Sequence, residues 1–125
     1  MTPAEAEAII LSFPGVEPGL SWNTPSFKAF GKFFTRLRDE DASLVLQAVG
    51  RDEREMLIEA EPQTFHLTDH YRNFPIVLAR MESLDPGSLR AFLERRWRQL
   101  APKKAVKAWD AARDTPGDDG GGEPL

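Results

Sequence analysis

SFKAFGKFFTRLR, residues 26–38, holds two short runs of alternating side chains that meet at Gly31, with four basic residues and no acidic one. Successive side chains of a strand point to opposite faces. Continued through Gly31, that alternation puts Phe27, Ala29, Phe33, Thr35 and Leu37 on one face. Lys28, Phe30, Lys32, Phe34, Arg36 and Arg38 fall on the other. Cations interleaved with aromatic rings suit a nucleic-acid surface, because the cations neutralise phosphates while the rings offer stacking planes. An ordinary solvated face of an antiparallel sheet has the same look, and both readings stand at this point.

Outward from this hairpin the chain is punctuated clearly. On its N-terminal side, Thr2-Pro3-Ala4-Glu5 reads as a capped helix start followed by the apolar stripe Ala6, Ile9, Ile10 and Phe13, and Pro14-Gly15 ends it. A loop rich in Pro and Gly runs to Pro25. On its C-terminal side the acidic turn Asp39-Glu40-Asp41 leads to a third strand over 43–49. Asp52 and Glu55 resemble a second capping box, opening a short helix with Met56, Leu57 and Ala60 turned inward until Pro62. Two further strands, 64–67 and 76–81, flank the polar turn 68–73. Asp85-Pro86 starts the strongest helix, with Leu89, Phe92, Leu93, Arg96, Trp97 and Leu100 on one side. Beyond Ala101-Pro102, residues 103–113 predict another helical turn or two anchored by Val106 and Trp109.

The order helix, three strands, helix, two strands, helix predicts an α+β domain in which helices cover one face of an antiparallel sheet and leave the other free to bind. At 125 residues the chain suits one domain, 1–113, with 114–125 read as a disordered, acidic, Gly-rich tail. The formal net charge is -4, but four of the twenty acids fall in that tail, leaving sixteen against sixteen bases. Charge is also segregated: 39–61 holds eight acids and two bases, and 86–113 holds eight bases and two acids. The absence of cysteine excludes disulfides and thiolate chemistry. No run reads as a signal peptide or membrane span, so a cytoplasmic location is expected.

The helix followed by PGVEPG, then WNTPSFKAFGKFFTRL, EAEPQTFHLTDHYRNFPIVLARM and ERRWRQLAPKK together resemble the MmcQ/YjbR family over about residues 4 to 108. The resemblance implies a secretion-chaperone-like fold and DNA binding. It supplies no catalytic motif to carry over.

Candidate chemistry is sparse. His66, Asp69 and His70 are the one cluster of ligand types, but His66 sits in a strand pattern and the others in a turn, the wrong geometry for two histidines sharing a metal. No serine elbow and no phosphate-cradling glycine loop occur, and the paired carboxylates Asp52 and Glu55 suit capping. The chain is therefore expected to be no enzyme and to take no cofactor or metal. Lys28, Lys32, Arg36 and Arg38, assisted by Arg72 at the tip of the second hairpin, are the candidate phosphate contacts. Phe30, Phe34 and Tyr71 are the candidates for stacking on bases, if exposed; Tyr71 packed on the sheet and Arg72 paired with the 53–61 helix is the alternative. Trp22 reads as a lid over the core or an anchor for a partner. The expected partner is DNA, or else a protein or a second copy of the chain docking on the open sheet face; no membrane is expected.

Overall fold

In the computed structural model, which describes residues 1–21 and 24–114, two helices open on caps foreseeable from sequence. Helix α1 (Pro3–Leu11) opens with the Thr2 hydroxyl accepting from the Glu5 amide at 3.1 Å while the Glu5 carboxylate accepts from the Thr2 amide at 2.7 Å. Helix α3 (Pro86–Leu100) opens on Asp85, whose carboxylate accepts from the Ser88 amide at 3.0 Å.

Between them lie two antiparallel sheets. Strands β1 (Val16–Ser21), β2 (Thr24–Ala29) and β3 (Lys32–Thr35) form the first, in that order. Strands β4 (Leu37–Arg38), β5 (Ser43–Gln47), β6 (Phe65–His66) and β7 (Ile76–Arg80) form the second, in the order β4-β5-β7-β6. Only Arg36 separates β3 from β4. Its carbonyl accepts from the Val45 amide at 3.0 Å, and the Thr35 hydroxyl donates to the Val45 carbonyl at 2.8 Å, so one through-running segment joins the sheets. Helix α2 (Arg51–Ala60) lies between β5 and β6, and α4 (Lys103–Asp114) follows α3.

The α+β class and the alternation of helices and strands hold. The stretch read as a Pro/Gly loop contains β1, because Pro18 costs little on an edge strand. Gly19 leaves room for the Lys28 stem, whose carbons would lie 3.1–3.3 Å from any Cβ there. The second capping box does not form: α2 starts after Gly50, with Asp52 and Glu53 in its first turn. Met56 and Ala60 point outward, and the buried residue of α2 is Arg54. Trp22 and residues 115–125 lie outside the described residues.

The main core sits between the sheets and the helices. Ala6, Ile9 and Ile10 of α1 and Leu89, Phe92, Leu93 and Trp97 of α3 meet Phe27, Ala29, Phe34, Leu44, Leu46, Val77 and Ala79. Trp109 of α4 stacks on Phe13 at 5.3 Å and lies 5.0 Å from Trp97. The other face of the second sheet is not free. Val45, Ile76 and Leu78 are buried there under Tyr71, with Phe33 and Leu67 packed alongside. Four successive residues of both β5 and β7 are buried because each strand is covered on two sides, in keeping with the apolar runs 44–46 and 76–79. Among the described residues no helix is long and apolar enough to cross a membrane.

Candidate functional site

The β2–β3 hairpin turns on two residues. Phe30 and Gly31 both have positive φ, 53° and 82°, as a two-residue hairpin turn demands. Ala29 is thus paired with Lys32 and Lys28 with Phe33. Directly opposed residues share a face, so Lys32 lies on the side of Ala29 and Lys28 on the opposite side. The parity carried through Gly31 from sequence fails here because the turn has two residues rather than one. It shifts again between Phe27 and Lys28, where Phe27 pairs with Thr35 and Phe34 is the extra residue.

The expected stacking rings are core residues. Phe34 is fully buried and meets Phe13 edge-on at 5.7 Å. Phe30 is half-buried, 6.1 Å from Trp97. Its ring lies over Gly15, where any Cβ would come within 2.5 Å, so a side chain at Gly15 (φ 78°) is excluded by both contact and conformation. Tyr71 is buried in the second cluster.

Arg36 and Arg38 flank that tyrosine. Arg36 donates to the Tyr71 hydroxyl at 3.1 Å and to Glu40 at 3.4 Å. Arg38 donates to Asp41 at 3.1 Å and sits 5.6 Å from the Tyr71 ring centroid. Their side chains are only 19% and 12% exposed. Burial opposes the charge on Arg38, but Asp41 and Tyr71 outweigh it and raise its pKa; Arg38 and Ser43 likewise overcome burial to lower that of Asp41. The acidic turn 39–41 therefore neutralises the arginines of the hairpin from within the same segment. Arg72 pairs with Asp69, not with the acidic helix. Lys28 and Lys32 have no ion-pair partner among the described residues.

Next to Arg38, the Ser43 hydroxyl meets His66 Nε2 at 2.8 Å, and an Asp41 oxygen lies 3.8 Å from the same nitrogen. Serine, histidine and aspartate thus gather, but both oxygens address one ring nitrogen, whereas a relay needs one on each. Ser43 is also fully buried, beyond reach of a substrate. His70, in the 3-10 turn Asp69–Tyr71, packs edge-on against Tyr71 at 4.7 Å.

Burial, reinforced by Arg80 and Arg38 and opposed by Asp41, lowers the pKa of His66. The unfolded chain therefore takes up this proton first as pH falls below about 6.5. Stability from neutral His66 is complete above that value and declines as pH falls toward the lower folded pKa. Urea titrations at steps from neutral pH downward should show this decline in the parent and a flatter profile in His66→Gln, which keeps a polar partner for Ser43 without the proton. Parallel profiles would exclude the assignment.

Among the described residues, arginines converge with no lining carboxylate at a different place. A cleft of about 240 Å³ is lined by Gly50, Arg51, Arg54, Arg72, Asn73, Phe74 and Pro75, with no carboxylate among them. Arg54, 5% exposed, reaches out of α2 and donates to the carbonyls of Phe74 at 2.9 Å, Ile76 at 3.1 Å and Arg72 at 3.0 Å. Its charge is met by carbonyl dipoles and no carboxylate. Arg51 is exposed and has no ion-pair partner among the described residues. The Arg72–Asp69 pair is solvent-exposed on both sides, so opening it costs little. A second cleft, lined by Ala91, Glu94, Arg95 and Arg98, differs in kind: Arg95 is bound by Glu53 at 2.8 Å, and Arg98 by Glu94 at 2.9 Å and Asp110 at 2.6 Å. Of the first cleft, sequence reasoning found only Arg72. Arg51 and Arg54 lie in an acidic run, and their convergence on a loop about twenty residues later leaves no local signal.

The sequence model of the YjbR family, described simply as YjbR, matches residues 11–99. Among curated proteins the chain is similar to the uncharacterized protein Rv2570 of Mycobacterium tuberculosis strain H37Rv and to the uncharacterized protein Mb2600 of Mycobacterium bovis. Each is 28% identical over 93 residues, covering 72% of this chain and 72% of the relative. No solved structure matches it.

Proposed function

We propose that this chain, which belongs to the YjbR family, holds nucleic acid by its phosphate backbone and acts by binding alone, without catalysis, in the cytoplasm. The observation that carries this reading is the cleft in which Arg51, Arg54 and Arg72 converge with no lining carboxylate. Arg51 and Arg72, the exposed pair, contact phosphates. Arg54 holds the 72–76 backbone in place beneath them and adds its uncompensated charge to the field. This moves the phosphate contacts away from the β2–β3 hairpin and from Arg36 and Arg38 that follow it, which are occupied by Glu40 and Asp41. Lys28 and Lys32, on opposite faces, are left as peripheral cations. A net charge of -4 accords with weak, salt-sensitive binding.

Two phosphate contacts imply that the logarithm of affinity for duplex DNA falls with the logarithm of salt at a slope of about -1.8. Fluorescence anisotropy between about 50 and 200 mM salt measures it. Arg51→Ala should bring the slope to about -0.9, and Arg51→Ala with Arg72→Ala should abolish the dependence, while Lys28→Ala with Lys32→Ala changes it little. No binding at low salt, or full binding by the double arginine variant, refutes the reading.

A second reading, docking of a peptide or a second copy, is favoured by β1. It is an edge strand of six residues on which Leu20 is 59% exposed. It requires self-association or peptide capture that is lost in Leu20→Lys, measurable by sedimentation at micromolar concentration.

A further inference from the structure

Phe74 lines the arginine cleft and is 53% exposed, although it belongs to a turn whose backbone is held on all sides. Its amide donates to the Tyr71 carbonyl at 3.1 Å, and its carbonyl accepts from both Arg54 at 2.9 Å and the Ile76 amide at 2.8 Å. Pro75 fixes the next φ. An isolated exposed phenylalanine needs no explanation. One presented on a turn whose backbone is held, at the rim of a cleft lined by three arginines of which only Arg72 has an ion-pair partner among the described residues, has the makings of a stacking platform, since little further backbone entropy is lost when its ring is covered.

We infer that the cleft takes single-stranded nucleic acid, with neighbouring phosphates on Arg51 and Arg72 and the adjoining base on the Phe74 ring. This rests on the backbone-binding reading above and adds the form of the ligand. A volume of about 240 Å³ is below the roughly 300–1,000 Å³ of a drug-sized pocket, so the cleft suits a short stretch of backbone with one base beside it, not a whole small ligand. In a duplex the π-faces are covered by neighbouring bases. Only an unstacked base offers a face to Phe74, while the phosphates are within reach of Arg51 and Arg72 in either form. Stacking on a ring tolerates any base, so no strong sequence preference is expected.

The test compares oligothymidylate with a duplex of equal phosphate number, at low salt, for the parent, Phe74→Ala and Phe74→Trp. The expected result is tighter binding of the single strand by the parent. Phe74→Ala should lose about 5- to 150-fold of that affinity and, with it, the preference between the two forms. The salt slope on the single strand should persist at about -1.4, because no phosphate contact is removed. Phe74→Trp should restore the preference, which a merely structural role for Phe74 does not predict. Equal affinity of the parent for both forms, or oligothymidylate binding that ignores Phe74→Ala, overturns the inference and leaves the backbone reading standing. Absence of binding to either form overturns both.

Discussion

Trp97→Ala should lower the unfolding free energy by about 3–5 kcal/mol, the usual cost of emptying a buried aromatic site. Trp97 is fully buried, its indole nitrogen donates to the Pro14 carbonyl at 2.8 Å, and its ring lies 5.0 Å from Trp109 and 6.1 Å from Phe30. It thereby ties α3 to the end of α1, to α4 and to the hairpin turn. Truncation leaves a cavity and removes the hydrogen bond to the Pro14 carbonyl, and against a total of about 5–15 kcal/mol that removes much of the reserve. Urea unfolding should show a lower midpoint with an unchanged slope. Because the Phe30 ring rests on Trp97, Phe30→Ala combined with Trp97→Ala should cost less than the sum of the single changes. A loss below about 2 kcal/mol, or strict additivity, would show that the site collapses or that the rings are uncoupled.

Several features whose partners lie within a few residues are readable in the sequence, although the Asp52–Glu55 box, equally local, does not form. The Thr2–Glu5 box, the Asp85 cap and the inward stripe of α3 are all set by neighbours three or four positions away. The orientation of the hairpin was not. Nothing in FKAFGKFF signals that Phe30, rather than Gly31 alone, adopts a left-handed conformation, or that Phe34 is a bulge, and each event reverses the parity of the residues after it. The buried second face does leave a signal: residues 44–46 and 76–79 are unbroken apolar runs, which fit strands covered on both sides better than strands with one free face. Arg54 could not be placed at all. An arginine among acids reads as a solvated helix face, and what distinguishes this one is three main-chain carbonyls at 72, 74 and 76, which every sequence possesses.

That same arginine makes the sharper prediction. Arg54→Met keeps much of the apolar stem and removes the guanidinium, leaving the carbonyls of Arg72, Phe74 and Ile76 without their donor in a largely buried setting. Hydrogen bonds from a charged group are worth about 1.5–3 kcal/mol each but share one side chain here, so a loss of about 3 kcal/mol is expected rather than their sum. Arg54→Lys should recover only part of it, because an ammonium lacks the planar fork that spans three acceptors. The consequence for binding separates position from charge. At temperatures where Arg54→Met remains folded, the 72–75 turn loses the clamp that presents both Arg72 and Phe74, so nucleic-acid affinity should fall further than in Arg51→Ala, which removes one contact from an intact turn. Hydrogen exchange should report the cause directly, with protection lost at the amides of Phe74 and Ile76 while those of β5 and α3 keep theirs. If Arg54→Met binds as the parent does once folded, the cleft is held by something other than this side chain, and its three arginines do not act together.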